Sequence, residues 1–149
     1  MTLDEVLISI FENGRRAGWK AREDLRLGMV GAKEKEVTAV ILEVIERWYG
    51  ITMEMMLVRS RKRPLVFCRQ LTMFFMWYFT DVSLVEIGKM FGLDHTSVVH
   101  GRDTIEGFLD VPGDLSEEIS SVVDEVREGI LTRNPKYRQP ARGLNLVRA

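Results

Sequence analysis

At 149 residues and 46% hydrophobic content, the chain holds enough apolar material for one domain with a sizeable core and too little for two large ones. Its net charge of -1 excludes a uniformly cationic nucleic-acid binder, so any attraction to phosphate has to be local. The single cysteine, Cys68, excludes an intrachain disulfide and fits a reducing compartment.

Taken in chain order, Thr2 with Glu5 forms a capping-box pattern, and Leu3, Val6, Leu7, Ile10 and Phe11 recur at helical spacing, so a helix is expected up to about Gly14. Gly18–Lys33, with mixed charges and three glycines, reads as a connector. The clearest helix follows, with Val37, Val40, Ile41, Val44, Ile45 and Trp48 on one face and Gly50 as its stop. Thr52 can cap a short helix through Met56 or Leu57. Beyond it lies a compact basic cluster of Arg59, Arg61, Lys62 and Arg63.

Pro64 suits the first turn of a long helix running to about Phe79. From Leu71 to Phe79 that helix is apolar on nearly every side, which puts it at the centre of the fold or under another chain. Around Met73–Phe79 the greasy stretch is far too short to span a bilayer, and no basic-then-apolar leader opens the chain. A cytoplasmic protein with no membrane partner is therefore expected.

Ser83 and Glu86 form a second capping-box pattern, opening a short helix with Leu84, Ile87 and Phe91 inward. Gly92 and Leu93 make a tight turn, and Asp94 can cap the next helix, which runs to about Leu109 and buries Val98, Gly101, Ile105 and Leu109. Pro112 and Gly113 break the chain. Asp114–Leu131 forms an amphipathic helix on Leu115, Ile119, Val122, Val123 and Val126. Acids crowd from Asp110 to Glu128, and none follows, whereas Arg133, Lys136, Arg138, Arg142 and Arg148 do. No strand pattern of useful length occurs. The expected fold is all-α, with an N-terminal helix and connector over 1–35, a helical domain over 36–131 and a basic, loose tail over 132–149.

Two short helices joined by a tight glycine-containing turn, Ser83–Phe91 and Asp94–Leu109, match the helix-turn-helix layout at 83–109. In that layout the second helix enters the major groove, led by its N-terminal residues. With Val98, Gly101, Ile105 and Leu109 inward, Thr96, Val99, His100 and Asp103 face outward, and Asp94, His95 and Ser97 stand at the helix start. These residue types suit base edges: an aspartate accepts from cytosine N4, a threonine methyl packs on a thymine methyl, and histidine or serine supplies a hydrogen bond. Arg61 and its neighbours would neutralise phosphates or reach into the minor groove. Two histidines and one cysteine at unhelpful spacings argue against a metal site, and Asp94–His95, adjacent on a helix, do not make a catalytic pair. Neither an enzyme nor a cofactor is expected.

The run Arg61-Lys62-Arg63, then Arg69-Gln70, then Thr80 to Gly88 (TDVSLVEIG), Phe91-Gly92 and Asp94 to His100 (DHTSVVH) closely resembles the DNA-binding domain of the bacterial replication initiator DnaA. The resemblance covers about Glu36 to Leu131. It implies a Trp-repressor-like helical fold and sequence-specific binding to a short AT-containing box in double-stranded DNA. Carried over by position, it implies that Arg61 enters the minor groove, that Asp94, His95 and Thr96 read the major groove, and that Ser97 adds base or phosphate contacts. Arg63, Gln70, Leu84 and His100 match positions that touch or support contacts to the backbone, and Lys62 sits among the phosphate-neutralising cations.

Three departures from the family pattern stand out. Gly92-Leu93 replaces a longer Gly-Gly-Arg turn, Trp77 stands where a basic residue is usual, and Val85 replaces a proline. No Gly-x-x-x-x-Gly-Lys-Ser/Thr loop occurs, so the expectation is a binder without the initiator's ATPase, regulating replication or transcription from DnaA-box-like sites. A second reading is a helical protein–protein interaction module that has lost DNA recognition. Trp77 and Tyr78 would offer a surface for self-association or for a protein partner.

Overall fold

The computed structural model describes residues 32–140. Within them the chain forms six helices and no strand: α1 (Ala32–Tyr49), α2 (Met53–Met56), α3 (Arg63–Phe79), α4 (Leu84–Phe91), α5 (His95–Asp110) and α6 (Asp114–Arg133). The helix expected from Thr2 to Phe11 lies outside the described residues, as do Arg142 and Arg148. So does the Gly18–Lys33 connector, apart from Ala32 and Lys33, which open α1.

The greasy helix is central. Leu65, Cys68, Leu71, Phe74, Phe75, Met76 and Phe79 of α3 are fully buried, because α3 packs against α1, α2, α4 and α5. A helix apolar all round needs neighbours on every side, and this one has them within its own chain. The three buried threonines are satisfied locally: Thr72 Oγ1 donates to the Cys68 carbonyl at 2.7 Å, Thr38 Oγ1 to the Glu34 carbonyl at 2.8 Å and Thr80 Oγ1 to the Met76 carbonyl, which avoids the cost of an unpaired buried hydroxyl.

On the far side α1 and α6 pack together. Val37, Val40, Ile41, Val44 and Ile45 of α1 meet Ile119, Val122, Val123, Val126 and Ile130 of α6 in the same core. Two expected core residues fall outside it. Trp48 is 40% exposed, and its indole N–H reaches the Glu125 carboxylate at 2.6 Å instead, the usual solution for an aromatic with a polar edge at a rim. Leu115 is also 40% exposed; it lies in the first turn of α6, one turn before the buried series begins at Ile119.

The described part of the tail differs from the loose segment expected after residue 131. Helix α6 continues to Arg133, and residues 134–140 then fold back on the end of α3. The Tyr137 hydroxyl donates to the Phe79 carbonyl, and the Gln139 amide donates to the Tyr78 carbonyl at 3.3 Å. These are last-turn carbonyls, which no helical N–H can satisfy, so the tail supplies donors that α3 lacks.

Trp77 and Tyr78 do not form the exposed aromatic patch expected of them. Tyr78 is buried and stacks on Phe74 at a centroid distance of 5.4 Å. Trp77 is half-buried under the Arg102 guanidinium, 4.8 Å from its ring centroid. A cation over an indole face is attractive, and it covers the surface that would otherwise have been sticky.

Candidate nucleic-acid interface

Helices α4 and α5 form the helix-turn-helix, and each junction is set by a specific residue. Ser83 Oγ accepts from the Glu86 amide at 3.1 Å and starts α4. Gly92, at φ 69°, ends it in the left-handed conformation, where the Leu93 amide donates to the Gly88 carbonyl at 2.8 Å. This is a Schellman-type stop, and it turns the chain in two residues. Asp94 then opens α5, with Oδ1 accepting from the Ser97 amide at 2.8 Å.

Two glycines set the packing of this unit. A Cβ at Gly88 would lie 2.6 Å from the Leu93 carbonyl oxygen, so only glycine lets the turn fold back this closely. A Cβ at Gly101 would lie 2.9 Å from Met73 Cε and 3.3 Å from Gln70 Cγ, so α5 crosses α3 at very short range. Val98 and Ile105 are fully buried beside Gly101, and Leu109 is half-buried. His95, Thr96, His100 and Asp103 are exposed on the opposite side, while Ser97 and Val99 are half-buried.

The basic loop is held in place from beneath. Arg69 of α3 donates through Nε to the Met56 carbonyl at 2.9 Å, and through a terminal nitrogen to the carbonyls of Val58 at 2.9 Å and Ser60 at 3.1 Å. One planar guanidinium thus ties three backbone points of the α2–α3 connection. Burial pushes its pKa down from the ordinary arginine value. Above this anchor Arg59, Arg61, Lys62 and Arg63 are all exposed.

Two adjoining clefts result. One lies between the first half of α3 and the start of α5, with Gln70 and Met73 facing Thr96 and His100. The other lies between the basic loop and the helix-turn-helix turn, with Arg59 and Arg61 facing Gly92 and Asp94. Arg69, Leu93, Asp94 and Ser97 line both. Neither cleft is lined by any residue of α6, whose acids would repel phosphate.

The structure therefore brings together Arg61, Gln70, Asp94, Thr96, Ser97 and His100 of the sequence-derived set. Lys62 and Arg63 adjoin them, exposed where the basic loop enters α3. His95 is exposed at the first position of α5 but lines neither cleft, and Leu84, half-buried in the first turn of α4, does not line them either. The Asp94 carboxyl is held below the ordinary aspartate value, first by the Ser97 amide, then by the Ser97 hydroxyl, with the His95 imidazole adding to these. It stays an anion and an acceptor.

Four residues of this face escaped the reading of the chain as a site: Arg69, Gly88, Leu93 and Gly101. Arg69 gave a usable signal, a lone cation inside an apolar helix. The glycines gave none beyond their type, because close approach is a tertiary property.

The family described as the bacterial DnaA protein helix-turn-helix has a model that matches residues 38–105, a span that takes in both clefts. The chromosomal replication initiator protein DnaA of Thermoanaerobacter sp. (strain X514) is 31% identical over 115 residues, covering 72% of this chain and 26% of that protein. That of Crocosphaera subtropica (strain ATCC 51142 / BH68) is 32% identical over 104 residues, covering 67% and 22%. That of Gloeothece citriformis (strain PCC 7424) is 37% identical over 93 residues, covering 61% and 20%. The chain spans about a quarter of the length of these curated relatives. No solved structure matches it.

Proposed function

Residues 38–105 belong to the bacterial DnaA helix-turn-helix family, a DNA-binding domain, and on that footing we propose that the chain reads DnaA-box-like sites in double-stranded DNA and regulates replication or transcription by occupying them. The observation that carries this reading is the cleft in which Arg61 faces Asp94 across the start of the recognition helix. A cation for the backbone or minor groove and an acceptor for base edges line one cleft, as a groove-straddling reader needs.

In this mechanism α5 enters the major groove by its first turn, the groove being wide enough for a helix. His95 and Thr96 are exposed there and meet base edges. Asp94 has Oδ1 committed to its own helix, and its exposed carboxylate has further lone pairs with which to accept from a base amino group. Arg61 reaches the adjacent minor groove, and Lys62 and Arg63 neutralise phosphates. Gln70 and His100, across the α3–α5 cleft, support the helix and touch the backbone, as do Leu84 from α4 and Ser97. The domain acts by occupancy, without catalysis, in the cytoplasm, where it competes with an initiator for the same boxes. Among the described residues no helix is long and apolar enough to cross a membrane.

The interaction-module reading loses a support, since Tyr78 is buried and Trp77 is covered by Arg102. Fluorescence anisotropy separates the two: the wild type should prefer a DnaA-box duplex over a scrambled one, and an Arg61→Ala, His95→Ala double variant should lose that preference. Equal affinity of the wild type for both duplexes would remove box specificity. No binding to either would remove the DNA reading.

A further inference from the structure

Leu93 is the one apolar side chain set at the head of the recognition helix. It is 36% exposed, it precedes the capping Asp94, and it lines both clefts of the candidate interface. A leucine in this position of a Schellman stop commonly packs one turn back on the helix it ends. Here the residue whose carbonyl receives the Leu93 amide is Gly88, which has no side chain to pack against. Leu93 lines both clefts, the one that holds Arg61 and the one that holds Thr96.

We propose that Leu93 is a specificity-determining residue that reads the C5-methyl group of a thymine in the major groove. The inference rests on the duplex-DNA reading above and adds to it a base contact of stated chemistry. The other apolar residues that line the clefts, Met56, Leu57, Val58, Val66, Met73 and Phe91, are buried or half-buried, and an exposed apolar side chain among cations and hydrogen-bonding groups gains little from phosphate or water. The apolar feature that a major groove presents is the thymine methyl. Removing one such methyl from an apolar contact forfeits about fourfold in affinity, the equivalent of about 0.8 kcal/mol for one buried carbon group.

The test selects duplexes from a randomised pool with the wild-type chain, then replaces each thymine of the selected duplex by deoxyuridine, which lacks only the methyl. At one thymine, the wild type should lose about fourfold in affinity on this replacement. Leu93→Ala should bind the thymine duplex more weakly and show no further loss at that position, while Leu93→Met should keep the loss. Thr96→Ser removes the other methyl at the helix start and should leave the Leu93-dependent position sensitive. An unchanged thermal melt of Leu93→Ala establishes that the variant is folded, as expected for an exposed side chain. If Leu93→Ala keeps every deoxyuridine loss of the wild type, or if the wild type shows none, the inference is overturned while DNA binding stands. If the wild type selects no duplex, both fall.

Discussion

Gly88 and Leu93 meet so closely that a Cβ at residue 88 would stand 2.6 Å from the Leu93 carbonyl oxygen. That contact lets a two-residue turn swing α5 across α4. Because the obstacle is backbone, it cannot yield as a flexible side chain would. Gly88→Ala should therefore cost about 1–3 kcal/mol of stability, the range for overpacking a tight site. It should also displace the start of α5, so DNA affinity should fall further than the loss of folded protein explains. Thermal denaturation paired with duplex titration below the melting range checks both; a wild-type melt with wild-type affinity would mean that the turn is looser than this contact implies.

Arg69 carries the basic loop on three carbonyls, those of Met56, Val58 and Ser60. Replacing it by methionine keeps most of the stem and leaves those acceptors without their donors. We expect a loss of about 2–3 kcal/mol, in line with removal of charged hydrogen bonds at a partly buried site. Arg69→Lys should restore little, since a point ammonium cannot span the three acceptors that a planar fork reaches. Amide exchange over residues 57–62 should accelerate in both variants, and unchanged protection there would show that the loop holds itself.

Asp94 ties pH to the start of α5. Its folded carboxyl titrates below the ordinary aspartate value because the Ser97 amide and hydroxyl hydrogen-bond the anion. The stabilisation is accordingly full above the ordinary value and is lost as pH falls through the lower, folded one. Asp94→Asn should cap the helix without this acid dependence. A comparison of melting temperature against pH for the two proteins, between neutrality and pH 2, should show a shallower acid limb in the variant. Parallel curves would contradict the assignment.

Cys68 faces the core of α3 with no exposed surface, and burial, with the Glu118 charge adding, pushes its thiol up to about 12. Only a thiolate reacts readily. The native protein at pH 8 should thus resist a thiol reagent that labels the denatured chain at once. Fast labelling of the folded protein would place the α3 core in exchange with solvent.

Much of this fold is legible in the chain because the signals are local. The periodic valines and isoleucines of α1 and α6, the caps Thr52, Ser83 and Asp94, and the stop Gly92 each act within a few residues of themselves, and the structure uses all of them. Trp48, Leu115 and residues 134–140 depart from the expectation for a shared reason. Whether an apolar residue at the end of a helix is covered depends on where the neighbouring helix stops, and whether a polar tail docks depends on orphan carbonyls elsewhere, here those of Tyr78 and Phe79. Trp77 departs from the expectation because its cover, Arg102, lies 25 residues away on another helix. In the candidate site, the pattern DHTSVVH carries the residues proposed to read bases, whereas Arg69, Gly88 and Gly101, which pack around them, act through three-dimensional contacts that no spacing encodes.

The most direct test of a single DNA-reading face is a chemical-shift map of the isotopically labelled chain titrated with a DnaA-box duplex. Shifts should concentrate on Arg59–Arg63 and on Leu93–His100 and should spare the exposed acids of α6 from Asp114 to Glu128. Shifts centred on α6 or on the Trp48 rim, or none at all with a duplex in excess, would contradict it.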